Sequence, residues 1–125
     1  MIPTHAQALI DGLETHGWRL ETTRRVEGQP FTYAVFSEVP GFGRGCPEKV
    51  IPKLAVPLPD DLQIPPPGFH MHPPLGLGTV TNTGESPLSL PNEPWVYWSR
   101  PLANWARQPN AARIVSHFNS TLRDA

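Results

Sequence analysis

The chain has little cysteine, no long hydrophobic run and almost no net charge, and each shortage excludes a class of protein. Its single cysteine, Cys46, rules out an internal disulfide and a cysteine-rich zinc site, and such sparing use of cysteine suits a reducing cytosol. No apolar run approaches the ~20 residues that a membrane span requires. The first residues lack the basic stretch and apolar core of a secretory signal. The sequence therefore predicts a soluble, cytoplasmic protein without a membrane partner.

The charge balance argues against a nucleic-acid partner. Ten Lys and Arg residues stand against eleven Asp and Glu residues, whereas nucleic-acid binders need a basic face. Proline and glycine are abundant instead, with 17 and 10 residues in a chain of 125. A hydrophobic content of 38%, with four Trp and five Phe, is too high for a disordered polypeptide. We therefore predict one folded domain over residues 1–125 that contains much extended chain.

Two stretches have the periodicity of amphipathic helices. Residues 4–16 open with a capping-box pattern, Thr4 followed by Gln7, and a glycine ends them. Residues 110–123 begin with Asn110, a favoured N-cap residue. The apolar stripes are Leu9, Ile10 and Leu13 in the first helix, and Ile114, Val115, Phe118 and Leu122 in the second.

The residues between the two predicted helices include stretches with the composition of β-strands. Residues 27–30 have turn composition and would join the first two strands. Pro57 cannot donate a backbone hydrogen bond, which predicts that the third strand lies at an edge of the sheet or ends near this residue. Residues 37–52 have loop composition, and 59–94 consist mainly of extended chain and turns. This order predicts an α+β fold with a three- or four-stranded antiparallel meander. The candidate strands are 18–23, 31–36 and 53–58, with 69–72 as a short fourth one.

Aromatic residues concentrate in the last third of the chain. They could form a stacking platform for bases or sugars, but the absence of a basic stripe favours a buried core. We predict that Trp95, Trp98, Trp105 and Phe118 are buried in mutual contact.

His70 and His72 are the first candidates for a metal site, because residues two apart on a strand point to the same face. A metal site needs three or four ligands, and no Asp, Glu or Cys lies beside this pair in the sequence. The other candidate ligands are distant: His5, His16, His117 and Cys46. We therefore expect no metal and no cofactor.

Cys46 is the only candidate for a thiol nucleophile. Arg44 and Lys49 flank it and would favour the thiolate, but no sequence signature of a cysteine enzyme surrounds it. Gly41-Phe-Gly-Arg-Gly45 lacks the Lys-Ser/Thr of a phosphate loop. No serine lies in a nucleophile elbow.

From Lys53 to Leu122 the order of features resembles the ubiquitin-conjugating (UBC-like) superfamily, specifically its prokaryotic family E. In that family a strand leads into a proline-rich segment, a His-Pro-Pro-Leu box, a Trp-x-x-Trp-Ser-Arg box and a further Trp before the closing helix. Here these features are residues 54–58, 65–69, 72–75, 95–100 and Trp105. The chain departs from the family at Pro101, where a histidine is usual.

The resemblance also implies a function. Conjugating enzymes carry ubiquitin on a cysteine shortly after the His-Pro box, yet residues 76–93 contain no cysteine. The resemblance therefore implies a non-catalytic UBC-like module that binds a ubiquitin-like protein or an adenylating activating enzyme. Its exposed surfaces would be 37–52 and 76–93, and the implied binding residues are His72, Pro73, Trp98, Ser99 and Arg100.

Two alternatives stay open at this stage. One is a divergent active conjugating enzyme that uses Cys46 as its thioester nucleophile. The other is an interaction domain unrelated to ubiquitin chemistry.

Overall fold

A computed structural model describes residues 2–43, 46, 49–73 and 83–123. It confirms an α+β fold with a helix near each end and an antiparallel sheet between them. The elements are α1 (Thr4–Thr15), β1 (Arg19–Arg24), β2 (Phe31–Glu38), β3 (Lys53–Pro59), β4 (Gly68–His72), β5 (Thr83–Glu85), β6 (Val96–Ser99), a short 3₁₀ turn (Trp105–Arg107) and α2 (Ala111–Arg123).

All six strands belong to one antiparallel sheet in the order β1-β2-β3-β4-β6-β5. The first four form the predicted meander, including the short strand at 69–72. The sheet extends beyond the predicted three- or four-stranded meander, because β6 pairs with β4 and β5 pairs with β6 on its other side. No helix in the described ranges is both long enough and apolar enough to cross a membrane.

The start of helix α1 differs from the prediction, whereas its end agrees with it. The capping box is wrong: the N-cap residue is Pro3, and no side chain caps the helix. The Gln7 side chain instead donates a hydrogen bond to Asp11 Oδ1 at 2.9 Å. The predicted end is confirmed, because Gly17 adopts a left-handed φ of 89°. Its N–H and that of the next residue donate to carbonyls of the last turn, which satisfies the helix terminus.

Asn110 caps α2 as predicted. Its Oδ1 accepts a hydrogen bond of 3.0 Å from the backbone N–H of Arg113, three residues into the helix. The apolar face of α2 then packs on the sheet. The residues buried there are Ala111, Ile114, Phe118 and Thr121, with Val115 and Leu122 partly buried beside them.

Replacing Asn110 with alanine is expected to lower the free energy of unfolding by about 1 kcal/mol, because the cap to Arg113 N–H is lost. Asn119, an exposed residue of the same helix, provides the matched control Asn119→Ala. Urea denaturation measures both. An equal loss in the two variants would contradict the capping role.

The two helices cover one face of the sheet, and the opposite face is called the second face. Trp98, Trp105 and Phe118 lie in the core between sheet and helices, as predicted. Trp95 is also buried but belongs to a separate cluster on the second face, so the prediction that all four rings meet is wrong. Side chains alternate across a strand, and residues 95 and 98 therefore face opposite ways. The second cluster consists of Tyr33, Val35, Ala55, Leu88 and Trp95.

Strand β3 lies inside the sheet, and Pro57 comes near its end as predicted. Residues 54–59 pair with β2, but pairing with β4 stops at Ala55. Pro57 thus lies beyond the part of β3 that has strands on both sides. The predicted loop at 37–52 is slightly shorter, since β2 continues to Glu38.

Strands β1 and β5 form the two edges of the sheet. Strand β1 is rich in charged and polar residues, and its register with β2 shifts on both sides of Leu20. Strand β5 has only three residues, all exposed. Both edges are therefore irregular or short.

Candidate functional site

His70 and His72 lie together on the second face of the sheet, as their spacing predicts. The His70 ring is 5.2 Å from the Tyr33 ring and 4.7 Å from the Tyr97 ring, measured between centroids. The His72 ring lies 5.8 Å from that of Trp95. Neighbouring strands thus build two groups of contacting rings on this face, one around His70 and one between His72 and Trp95.

His70 forms a buried pair with Ser86. Its Nδ1 is 2.7 Å from Ser86 Oγ, which also accepts a hydrogen bond from the backbone N–H of Leu88. Burial lowers the pKa of His70 to about 4. These hydrogen bonds tie β4 to the turn after β5.

The two histidines do not form a metal site with other side chains of the described residues. No group of three or more His, Cys, Asp and Glu side chains with metal-binding geometry is present there. His72 Nδ1 lies 2.6 Å from the carbonyl oxygen of Pro94, which fixes the imidazole to the segment that leads into β6.

An ion-pair network lies beside His72. Lys53 Nζ is 3.2 Å from carboxylate oxygens of both Glu93 and Glu21, and Arg24 lies 3.6 Å from Glu93. Burial opposes the charge of Lys53, but hydrogen bonds with Glu93 and Glu21 outweigh it and raise the pKa of the ammonium. Burial likewise opposes the charge of Glu93, whose pKa is nevertheless lowered by hydrogen bonds from Trp95 and Lys53. The network holds Trp95 against the second face.

An open cleft of about 280 Å³ lies over the His70 side of this face. Burial raises the pKa of the Tyr33 hydroxyl, which donates a hydrogen bond to Gln29 Oε1. The Tyr97 hydroxyl donates to the carbonyl oxygen of Pro67 at 3.1 Å. With both hydroxyls engaged, the cleft is suited to apolar contact rather than to proton transfer. Its lining also includes Phe31, Glu85 and Pro87.

The binding residues implied by the resemblance fall in two places. His72 and Pro73 lie at the end of β4, joined by a cis peptide bond. Trp98 is buried on the helix-covered face, with the Arg100 guanidinium 4.8 Å from its ring centroid. Arg100 also donates to the carbonyl oxygen of Ser99 at 2.7 Å. His72 and Trp98 therefore lie on opposite faces of the sheet and do not form one site.

Cys46 lies in the connection between β2 and β3. Its half-buried thiol donates a hydrogen bond to the carbonyl oxygen of Val50 at 3.0 Å. Lys49 is exposed nearby in the chain, whereas Arg44 lies outside the described residues. The implied surfaces at 37–52 and 76–93 are described only in part, since residues 44, 45, 47, 48 and 76–82 also lie outside.

The sequence did not reveal which side chains contact His70 and Lys53. Ser86 reaches His70 and Glu93 reaches Lys53 only because the sheet brings distant segments together. The alternation around the two histidines was the one signal that pointed to this face. Comparison of the chain with family models, with curated proteins and with solved structures gave no match.

Proposed function

We propose that this protein is a non-catalytic UBC-like module that binds a ubiquitin-like protein or an adenylating activating enzyme. The observation that carries the proposal is the order of elements around the sheet. A helix is followed by a four-stranded antiparallel meander, and a His-Pro pair ends the fourth strand. The closing helix then packs beside the first one.

Close contact between the two helices supports this arrangement. A Cβ atom added to Gly12 of α1 would lie 2.6 Å from the Cβ atom of Ala111 in α2. The helices therefore meet at a point where only glycine fits, and both cover the same face of the sheet. Trp105 precedes α2 and donates from its indole to the carbonyl oxygen of Leu62 at 2.8 Å, which ties the closing segment to the strand connection.

The proposed lack of catalysis depends on the position of the thiol. Thioester exchange needs an accessible thiolate. Residues 76–93, which follow the His-Pro pair, contain no cysteine. Cys46 belongs to another connection, is half-buried and donates a hydrogen bond to a carbonyl oxygen. We therefore propose that the module has a binding role rather than a catalytic one.

Mixing the protein with ATP, a ubiquitin-like protein and its activating enzyme from the same genome is expected to give no thioester adduct. Non-reducing electrophoresis measures the adduct, and Cys46→Ser is the matched control. Calorimetry on the same proteins is expected to detect binding to the modifier or to the enzyme.

The other outcomes separate the alternatives. An adduct that dithiothreitol removes and that Cys46→Ser abolishes would make this an active conjugating enzyme. Absence of both adduct and binding would contradict the proposal and leave an interaction domain unrelated to ubiquitin chemistry.

A further inference from the structure

Charge is distributed unevenly along the chain despite the near-zero total. Residues 94–123 contain four arginines and no Asp or Glu, whereas residues 1–93 contain six basic and ten acidic residues. The basic stretch consists of β6, the 3₁₀ turn, α2 and the chain around them. This part of the sequence is thus cationic, while the part before it is acidic.

A groove of about 660 Å³ runs along the outer side of α2 within this basic stretch. One wall is formed by α2 residues and the other by the segment that leads into the helix. Among the described residues that line the groove no side chain is a carboxylate; they include Gln108, Asn110, Arg113, Ser116, His117 and Ser120. The groove is therefore rich in hydrogen-bond donors and carries positive charge.

Arg113 is held in place at one end of this groove. Its two terminal nitrogens donate to the carbonyl oxygens of Asn104 and Ala103 at 2.8 and 2.6 Å. A guanidinium has five N–H groups, so three remain for a ligand after these two bonds. Because the side chain is already ordered, a ligand that binds it loses little additional conformational entropy.

Arg123 provides a second charge, next to the lining residue Ser120. Its guanidinium donates to Ser120 Oγ, a lining residue, at 3.2 Å. Arg113 and Arg123 are ten residues apart, which is about 15 Å along the helix axis. An extended peptide covers this distance in about four or five residues.

We infer that the α2 groove binds an extended acidic peptide segment of a partner protein, with carboxylates about four residues apart. Guanidinium groups pair well with carboxylates, and two arginines about 15 Å apart along a helix favour two spaced carboxylates. The acidic remainder of the molecule disfavours a long polyanion such as a nucleic acid. This inference rests on the groove alone and does not depend on ubiquitin-related partners.

The test uses the full-length protein and a fluorescein-labelled peptide of Gly and Ser with Glu at every fourth position. Fluorescence anisotropy at low ionic strength is expected to show saturable binding that weakens with added salt. The same peptide with Lys in place of Glu is expected not to bind. Inorganic phosphate and a single-stranded RNA of equal length serve as competitors and are expected to displace the peptide poorly.

Two pairs of variants locate the binding. Ser116→Glu places a carboxylate at an exposed position of the groove and is expected to raise the peptide Kd about tenfold. Thr15→Glu, on exposed α1 surface, adds the same charge elsewhere and is expected to leave the Kd almost unchanged. Arg123→Gln is expected to weaken binding more than Arg19→Gln, which removes an exposed arginine on β1.

Several results would overturn the inference. Equal effects within either pair would show that only net charge matters. Binding of the Lys peptide, or no saturable binding of the Glu peptide, would exclude an acidic peptide as the ligand. Tighter binding of phosphate or RNA than of peptide would assign the groove to another anion. Circular dichroism checks that each variant is folded.

Discussion

Replacing Trp98 with alanine is expected to lower the free energy of unfolding by about 3–5 kcal/mol. Trp98 is 1% exposed, and its strand β6 pairs with β4 on one side and β5 on the other. Truncation would leave a cavity in the main core and remove the ring that Arg100 covers. A loss of this size is a large fraction of the stability of a small domain.

Urea denaturation with tryptophan fluorescence and circular dichroism measures the effect. Ile51→Ala is the control, because Ile51 is 63% exposed and its truncation should cost no more than about 0.5 kcal/mol. Trp98→Phe is expected to fall between the two, since the indole N–H that it removes has no hydrogen-bond partner among the described residues. A Trp98→Ala variant as stable as Ile51→Ala would show that Trp98 is not a central core residue.

Acidification is expected to destabilise the protein through His70. The folded state lowers the pKa of His70 from 6.5 to about 4 by burial, so folding favours the neutral imidazole. The stability contributed by the neutral form is complete above pH 6.5 and is lost as the pH falls towards 4. Over this range the free energy of unfolding is expected to fall by about 3 kcal/mol from this group.

Urea denaturation at several pH values measures the loss, and NMR titration of the histidine ring protons assigns it. The His70 resonances are expected not to titrate until well below pH 6.5. A His70 ring that titrates near its ordinary pKa would contradict the prediction.

The sequence predicts those parts of the fold that depend on local patterns. Both helices follow from apolar periodicity, and their ends at Gly17 and Asn110 follow from capping chemistry. The capping box at Thr4 failed because Pro3 occupies the N-cap position instead. Strands β5 and β6 were missed because both are short, and because β6 is stabilised by pairing with β4, which is distant in sequence.

In the candidate site, too, the sequence predicts only the features that depend on local patterns. The strand period places His70 and His72 on one face, as the sequence predicts. The low pKa of His70 depends on how deeply the fold buries it, and the engagement of Cys46 depends on a carbonyl of its own loop. Neither the pKa of His70 nor the hydrogen bond of Cys46 can be predicted from the order of the residues. The α2 groove was missed for a related reason, since its second wall comes from a segment without regular structure.

The irregular edges of the sheet have a consequence for behaviour at high concentration. An open sheet exposes unpaired backbone groups at both ends, and these can recruit a strand from another molecule and begin fibril growth. Here β1 presents charged residues and two register shifts, while β5 offers only three residues. Within the described residues, neither edge gives a long, flat template for an added strand. The native fold thus protects the apolar inner strands β2, β3 and β4 from edge-to-edge aggregation.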